Sequence, residues 1–205
     1  MNSSCGKQEI LKYIKLLKEI GLFKNKLGCI SIRVDEDNIL ISPCIENKYF
    51  TLDDIKIVSK SNVCKNIATE ELEIHRNIYK YRKDINAIIH LFSDYALQSS
   101  YNNESIPPVL EDMAQVIGPT INVSNKQALN VVKYLKGRSA VLIKGEGGLC
   151  TGKALHEAYL TCQVFEKSCT VFNESQKIGG AKPINNAIAF AMHQVYLRKT
   201  NKRKL

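Results

Sequence analysis

The chain has 205 residues and a net charge of +9, from 29 lysines and arginines against 20 aspartates and glutamates. That length predicts one domain with a core of its own, and no apolar run is long enough to span a bilayer. The seven cysteines (5, 29, 44, 64, 150, 162 and 169) are odd in number, irregularly spaced and free of Cys-x-x-Cys pairs, so they are expected to be reduced and to act as small apolar residues.

Met1-Asn2-Ser3-Ser4-Cys5-Gly6-Lys7 carries no apolar leader, which predicts a cytoplasmic protein. The lysines are scattered through helices rather than gathered in a stripe. The one dense cluster, Arg198-Lys199-Thr200-Asn201-Lys202-Arg203-Lys204, has no interleaved aromatics. A solvated terminus is expected there, not a nucleic-acid arm.

A first helix is predicted from Lys7 to Gly21, with Ile10, Ile14, Leu17 and Gly21 on one stripe. Gly28–Arg33 and Asn38–Ser42 read as strands around the turn Asp35-Glu36-Asp37-Asn38, a hairpin. Ile55–Val58 is another strand. Thr69 caps a second helix running to Arg82, with Glu70 and Glu71 in the first turn, where the helix dipole favours them. Ile85–His90 reads as a buried strand, and Ser93 caps a third helix, Asp94–Tyr101. After the break at Ile106-Pro107-Pro108, Ser124-Asn125 caps a fourth helix ending at Leu135. Ala140–Ile143 is a buried strand, followed by the turn Lys144–Gly148 and a short strand at Leu149-Cys150. A long helix runs from Lys153 to Phe172, a linker covers Gly179–Pro183, and a last helix spans Asn185–Arg198. Hairpin strands mixed with helices predict a layered α/β domain with a mixed sheet. It spans 1–205 as a single domain, closed by a helix and short basic tail over 185–205.

The order and spacing of several segments resemble the class II aldolase/adducin family. These are Gly28-Cys29-Ile30-Ser31-Ile32-Arg33, Ile41-Ser42-Pro43, Thr69-Glu70-Glu71 with His75 and Tyr79, Asp84–His90, Ile106-Pro107-Pro108 and Val141–Gly147. The resemblance implies a three-layer α/β/α domain with a central mixed, largely antiparallel sheet. It also implies a homo-oligomer, a tetramer with the site between subunits, and cleavage of a carbon–carbon bond in a sugar phosphate. In that chemistry a zinc ion on three histidines polarises substrate oxygens and stabilises an enediolate, while a glutamate moves the proton.

Carried over by position, Glu71 is the proton carrier and His90 the first strand-end histidine. The second histidine falls on Phe92, which has no lone pair, and the third on Glu146, between Gly145 and Gly147. A carboxylate can ligate a divalent metal. His90, Glu146 and Glu71 therefore form an expected metal set, suited to manganese, iron or magnesium better than to the zinc of the family. The substrate-binding positions fall on Cys29, Ser31, Cys44 and Thr69. There the family's phosphate cradle is replaced by Cys29, by Cys44-Ile45 and by Glu70, whose charge repels a phosphate dianion.

Each position also has a plain structural reading. His90 serves equally as a buried histidine at a strand end, Glu71 as a first-turn helix carboxylate, and Cys29 with Cys44 as filling for a disused pocket. The glycines around Glu146 predict a tight turn that presents its side chain. His75, His156 and His193 lack a partner pattern and are expected to be structural or surface residues. Three functions are open. One is a divalent-metal-dependent aldehyde-lyase acting on a sugar or sugar phosphate. The second is an impaired or repurposed family member that binds a carbohydrate or assembles, with Phe92 packed into the vacated site. The third, charge-driven association with nucleic acid, is disfavoured by the scattered lysines. The second is preferred on chemistry, because one ligand is lost, another is changed and the cradle is replaced.

Overall fold

The computed structural model describes residues 3–23, 28–44, 51–59, 69–101 and 104–202. Its strands are β1 (Ile30–Arg33), β2 (Asn38–Ile41), β3 (Lys56–Ser59), β4 (Ala87–Leu91), β5 (Asn122–Ser124), β6 (Ala140–Ile143) and β7 (Gly147–Gly152). They form one sheet in the order β3-β2-β1-β4-β7-β6-β5. Every pairing is antiparallel except β5 with β6. The helices are α1 (Ser3–Glu19), α2 (Thr69–Tyr81), α3 (Asp94–Tyr101), α4 (Ala128–Tyr134), α5 (Leu155–Gln176) and α6 (Asn186–Lys202).

The strand period of two splits the core into two layers. Ile30, Ile32, Ala87, Ile89 and Leu91 face one cluster, shared with Ile10, Ile14 and Leu17 of α1 and Leu155, Ala158, Cys162 and Phe165 of α5. Ile39, Ile41, Ile88, Val141 and Ile143 face the other, with Leu72, Ile74 and Ile78 of α2 and Val131 of α4. The result is the expected three-layer α/β/α sandwich around a mixed, largely antiparallel sheet. Cys29, Cys150, Cys162 and Cys169 are buried among apolar side chains, as small apolar residues would be. Cys64 and the tail residues 203–205 lie outside the described residues.

The local signals mostly act where expected. The α1 helix ends on Gly21 at φ 75°, with Leu22 N donating to Leu17 O and Gly21 N to Lys18 O, a Schellman closure. Asp35 Oδ1 accepts from the backbone of Asp37 and Asn38, both at 2.8 Å, and so fixes the hairpin turn. Ser93 Oγ accepts from Ala96 N at 3.2 Å as the α3 cap.

Several boundaries differ. The α1 helix begins at Ser3, β7 runs six residues rather than two, α5 extends to Gln176 and α6 to Lys202. The fourth helix begins at Ala128, because Asn125 spends its side chain on an Asx turn, accepting from Gln127 N at 3.1 Å. Two elements were unforeseen: β5 and a π-helical turn at Met113–Ile117. The turn is capped by Asp112, whose carboxylate accepts from Met113 N. A three-residue edge strand carries too little periodicity to register in the sequence. No helix among the described residues is long and apolar enough to cross a membrane.

Candidate functional site

The site forms where the C-terminal end of β4 meets the first turn of α2. His90 follows Ile88 on the α2 face of β4. Its peptide N–H donates to Cys29 O at 2.8 Å, which ties the strand end to the residue before β1. Gly28 makes this approach feasible, since a Cβ there would lie 1.4 Å from the His90 carbonyl oxygen.

On α2, Glu71, His75 and Tyr79 recur at intervals of four and share one face. Glu71 Oε1 lies 2.6 Å from His90 Nδ1 and 3.2 Å from His75 Nε2. An ionised carboxylate only accepts, so both ring N–H groups donate to it. His75 Nδ1 then accepts from Ser31 Oγ at 2.7 Å, and Ser31 Oγ accepts from the Tyr79 hydroxyl at 2.8 Å. All five residues are buried. The chain Tyr79–Ser31–His75–Glu71–His90 is thus a continuous polar thread through an apolar layer. Arg33 covers its far end, with its guanidinium carbon 4.8 Å from the Tyr79 ring centre.

Charge is set by this thread. Burial opposes ionisation of Glu71, but the adjacent His90 and the two imidazole hydrogen bonds outweigh it and hold the carboxyl far below its ordinary range. Burial likewise disfavours a charged His90, yet the Glu71 carboxylate prevails and raises its pKa. Each partner thus favours the charged form of the other. His90 Nε2 is buried and has no hydrogen-bond partner among the described residues. The Phe92 ring stacks on the same imidazole, with centroids 4.8 Å apart and planes 26° from parallel.

Glu146 enters from the β6–β7 turn. Gly145 and Gly147 sit at φ 76° and 85°, the left-handed region that glycine adopts at low cost. Their tight turn leaves the Glu146 side chain 16 % exposed, in an ion pair with Lys126. Ligand atoms of Glu71, His90 and Glu146 lie within 4.8 Å of one another. One imidazole and two carboxylates suit a hard divalent cation, and the unpartnered His90 Nε2 is a donor it could use once deprotonated. Cys29, Glu71 and His75 form a second such group. That one is poorer, because both nitrogens of His75 are committed and burial drives the Cys29 thiol pKa well up.

The expected substrate-binding residues diverge. Cys29 is buried and donates its thiol to Ser42 O at 3.0 Å. Cys44 is half-buried and contacts Cys29, so these two do converge. Ser31 belongs to the polar thread. Thr69 opens α2, but its side chain and Ile45 lie outside the described residues. His75, expected to be structural or surface, is buried and a direct hydrogen-bond partner of Glu71. Its spacing of four from Glu71 was the available signal. His156 is exposed, and buried His193 donates to Gln115 O at 2.7 Å.

Comparison with known proteins agrees with this architecture. The family described as "Class II Aldolase and Adducin N-terminal domain" matches residues 8–172. The L-fuculose phosphate aldolase of Methanococcus maripaludis is 28 % identical over 167 residues, covering 78 % of this chain and 91 % of that protein. The 5-deoxy-D-ribulose 1-phosphate aldolase of Bacillus thuringiensis is 25 % identical over 188 residues, covering 86 % and 88 %. A solved L-fuculose 1-phosphate aldolase superposes with a TM-score of 0.86 at 26 % identity, covering 96 % of this chain and 98 % of its own. With the family model matching most of its length and the fold shared with a solved aldolase, the chain belongs to the class II aldolase/adducin family.

Proposed function

We propose that this protein has left zinc-dependent carbon–carbon cleavage and keeps the family fold as a binding or assembly module for a small carbohydrate-type ligand. The observation that carries this reading is the Phe92 ring stacked on His90, with His90 Nδ1 locked to Glu71 at 2.6 Å. A ligand position of the cage is taken by a side chain without a lone pair. The carboxylate expected to carry the proton is meanwhile held by two imidazole N–H groups, and so is a weak base. The resemblance to the family favours a homotetramer, for which light scattering of the purified protein is the measure.

The grouping of His90, Glu71 and Glu146 donors within 4.8 Å favours a second reading, a metal-dependent aldehyde-lyase acting on a sugar or sugar phosphate. These three residues would hold the ion, which supplies polarisation of substrate oxygens and stabilisation of an enediolate. Glu71 would then hand the proton to and from substrate carbon once freed from His90.

Elemental analysis after incubation with zinc, manganese, iron(II) or magnesium separates the two, together with an assay of L-fuculose 1-phosphate cleavage. The binding-module reading expects less than about a tenth of an equivalent of each metal and no turnover, because the set keeps one imidazole of the three-histidine cage. Near-stoichiometric metal with turnover overturns it.

A further inference from the structure

At the end of the sheet opposite His90 lies a cavity of about 90 Å³ whose largely apolar lining is edged by charged and polar side chains. Ala87, the first residue of β4, pairs with Gly152 on its wall, so the cavity is separated from the candidate site by the length of the strand. Its charged and polar walls include Arg82, Arg138, Lys153, His193, Tyr196 and Thr200. The last three come from α6, which lies beyond the family-matched residues 8–172.

The carboxylates at the cavity are already engaged. Asp84 is forked by Arg82 at 2.9 and 2.7 Å. Glu157 accepts from the Lys153 peptide N–H at 2.9 Å. Arg82 spends its remaining Nη1 on the carbonyls of Leu135 and Arg138. Lys153 Nζ donates to Asn201 Oδ1. Arg138 differs. Its Nε donates to Thr120 O and Oγ1 at 3.0 and 2.8 Å and its Nη1 to Lys136 O at 2.9 Å, all neutral acceptors. Among the described residues no carboxylate lies within ion-pair distance of Arg138, and its Nη2 has no acceptor. A partly desolvated guanidinium without a counter-charge is costly unless something completes it. The fields of Arg138 and Arg82 reach His193 as well, where burial first and these two cations after it depress the imidazole pKa.

We propose that this cavity is a second ligand site, for a small oxyanion of the phosphate class, gripped by Arg138 and closed by α6. A planar guanidinium suits tetrahedral oxyanions. The cavity holds several waters or one such ion. An anion there also touches residues of the main domain and of α6 at once, so binding fastens the last helix to the sheet.

Isothermal titration of the full chain with inorganic phosphate tests this, with hydrogen exchange of α6 as a second readout. Expected are saturable one-site binding and slower exchange across 193–200. Arg138→Gln should weaken binding at least about tenfold, the loss of one charge-assisted contact. Tyr196→Phe, which leaves the guanidinium framework intact, should weaken it measurably, and Cys5→Ser on the exposed side of α1 should leave it unchanged. A second arm with glycerol phosphate separates the sources. Tighter binding of the ester assigns the site to the phosphoryl end of a metabolite, and tighter binding of phosphate to the free ion. No saturation at millimolar phosphate overturns the proposal, as does equal affinity in wild type, Arg138→Gln and Tyr196→Phe. Because the binding-module reading is scored by metal content and turnover, failure here is distinct from failure of that reading.

Discussion

Glu71 Oε1 lies 2.6 Å from His90 Nδ1, a buried carboxylate–imidazole contact between the first turn of α2 and the end of β4. It joins a helix to a strand across the layer that they share. Protonation of either partner state is therefore linked to folding.

Glu71 has a depressed pKa in the folded chain. Its contribution is complete above the ordinary carboxyl value of 4.5 and is lost as pH falls through the lower folded value. His90 has a raised pKa. Its contribution is complete below 6.5 and is lost as pH rises through the higher folded value. Stability measured by urea unfolding should therefore peak between pH 4.5 and 6.5 and fall on both sides. Glu71→Gln should flatten both limbs and cost about 3 kcal/mol at the peak, since it strands a buried charge. An unchanged profile in that variant would show that the pair is not ionised.

Ser31 supports the thread by bonding His75 and Tyr79 together. Ser31→Ala leaves two buried polar atoms without partners and should cost about 1–3 kcal/mol each way of counting, by chemical denaturation. The double variant Ser31→Ala with Tyr79→Phe should cost less than the sum of the singles, because the second change removes a group already orphaned.

Phe92 can be converted back. Phe92→His with Glu146→His recreates a three-imidazole set around His90, and zinc content should rise toward one equivalent by elemental analysis. Phe92→His alone should gain less. If the double variant folds but takes up no zinc, the stacked ring is not what displaced the metal.

Lys126→Ala removes the ion pair on Glu146. Lys126 is half exposed, so thermal stability should change by less than about 1 kcal/mol. Manganese affinity should increase if Glu146 is a ligand held off by the lysine, and stay constant if it is not. Gly28→Ala offers a contrast. Its Cβ would overlap the His90 carbonyl oxygen, and soluble expression should collapse, a loss above about 4 kcal/mol.

Much of this architecture was legible along the chain. The apolar run in Ile85–His90, the stripe Ile10–Ile14–Leu17, the Asp35 turn and the Gly21 stop each encode a local preference that tertiary packing did not overrule. The glycines about Glu146 announced their turn for the same reason, since positive φ is a property of a single residue. Family resemblance supplied the layer order that local patterns leave open.

Other features came only with the fold. His75 and Ser31 are 44 residues apart in sequence, and nothing local to either fixes their 2.7 Å contact. The same holds for His90 and Glu71, each of which favours the charged form of the other against the cost of burial. Residue types and helix spacing determined which groups could meet. The register of β4 against β1, and the packing of α2 over that sheet, decided which did, because hydrogen bonds and ion pairs depend on ångström distances that one-dimensional periodicity does not carry.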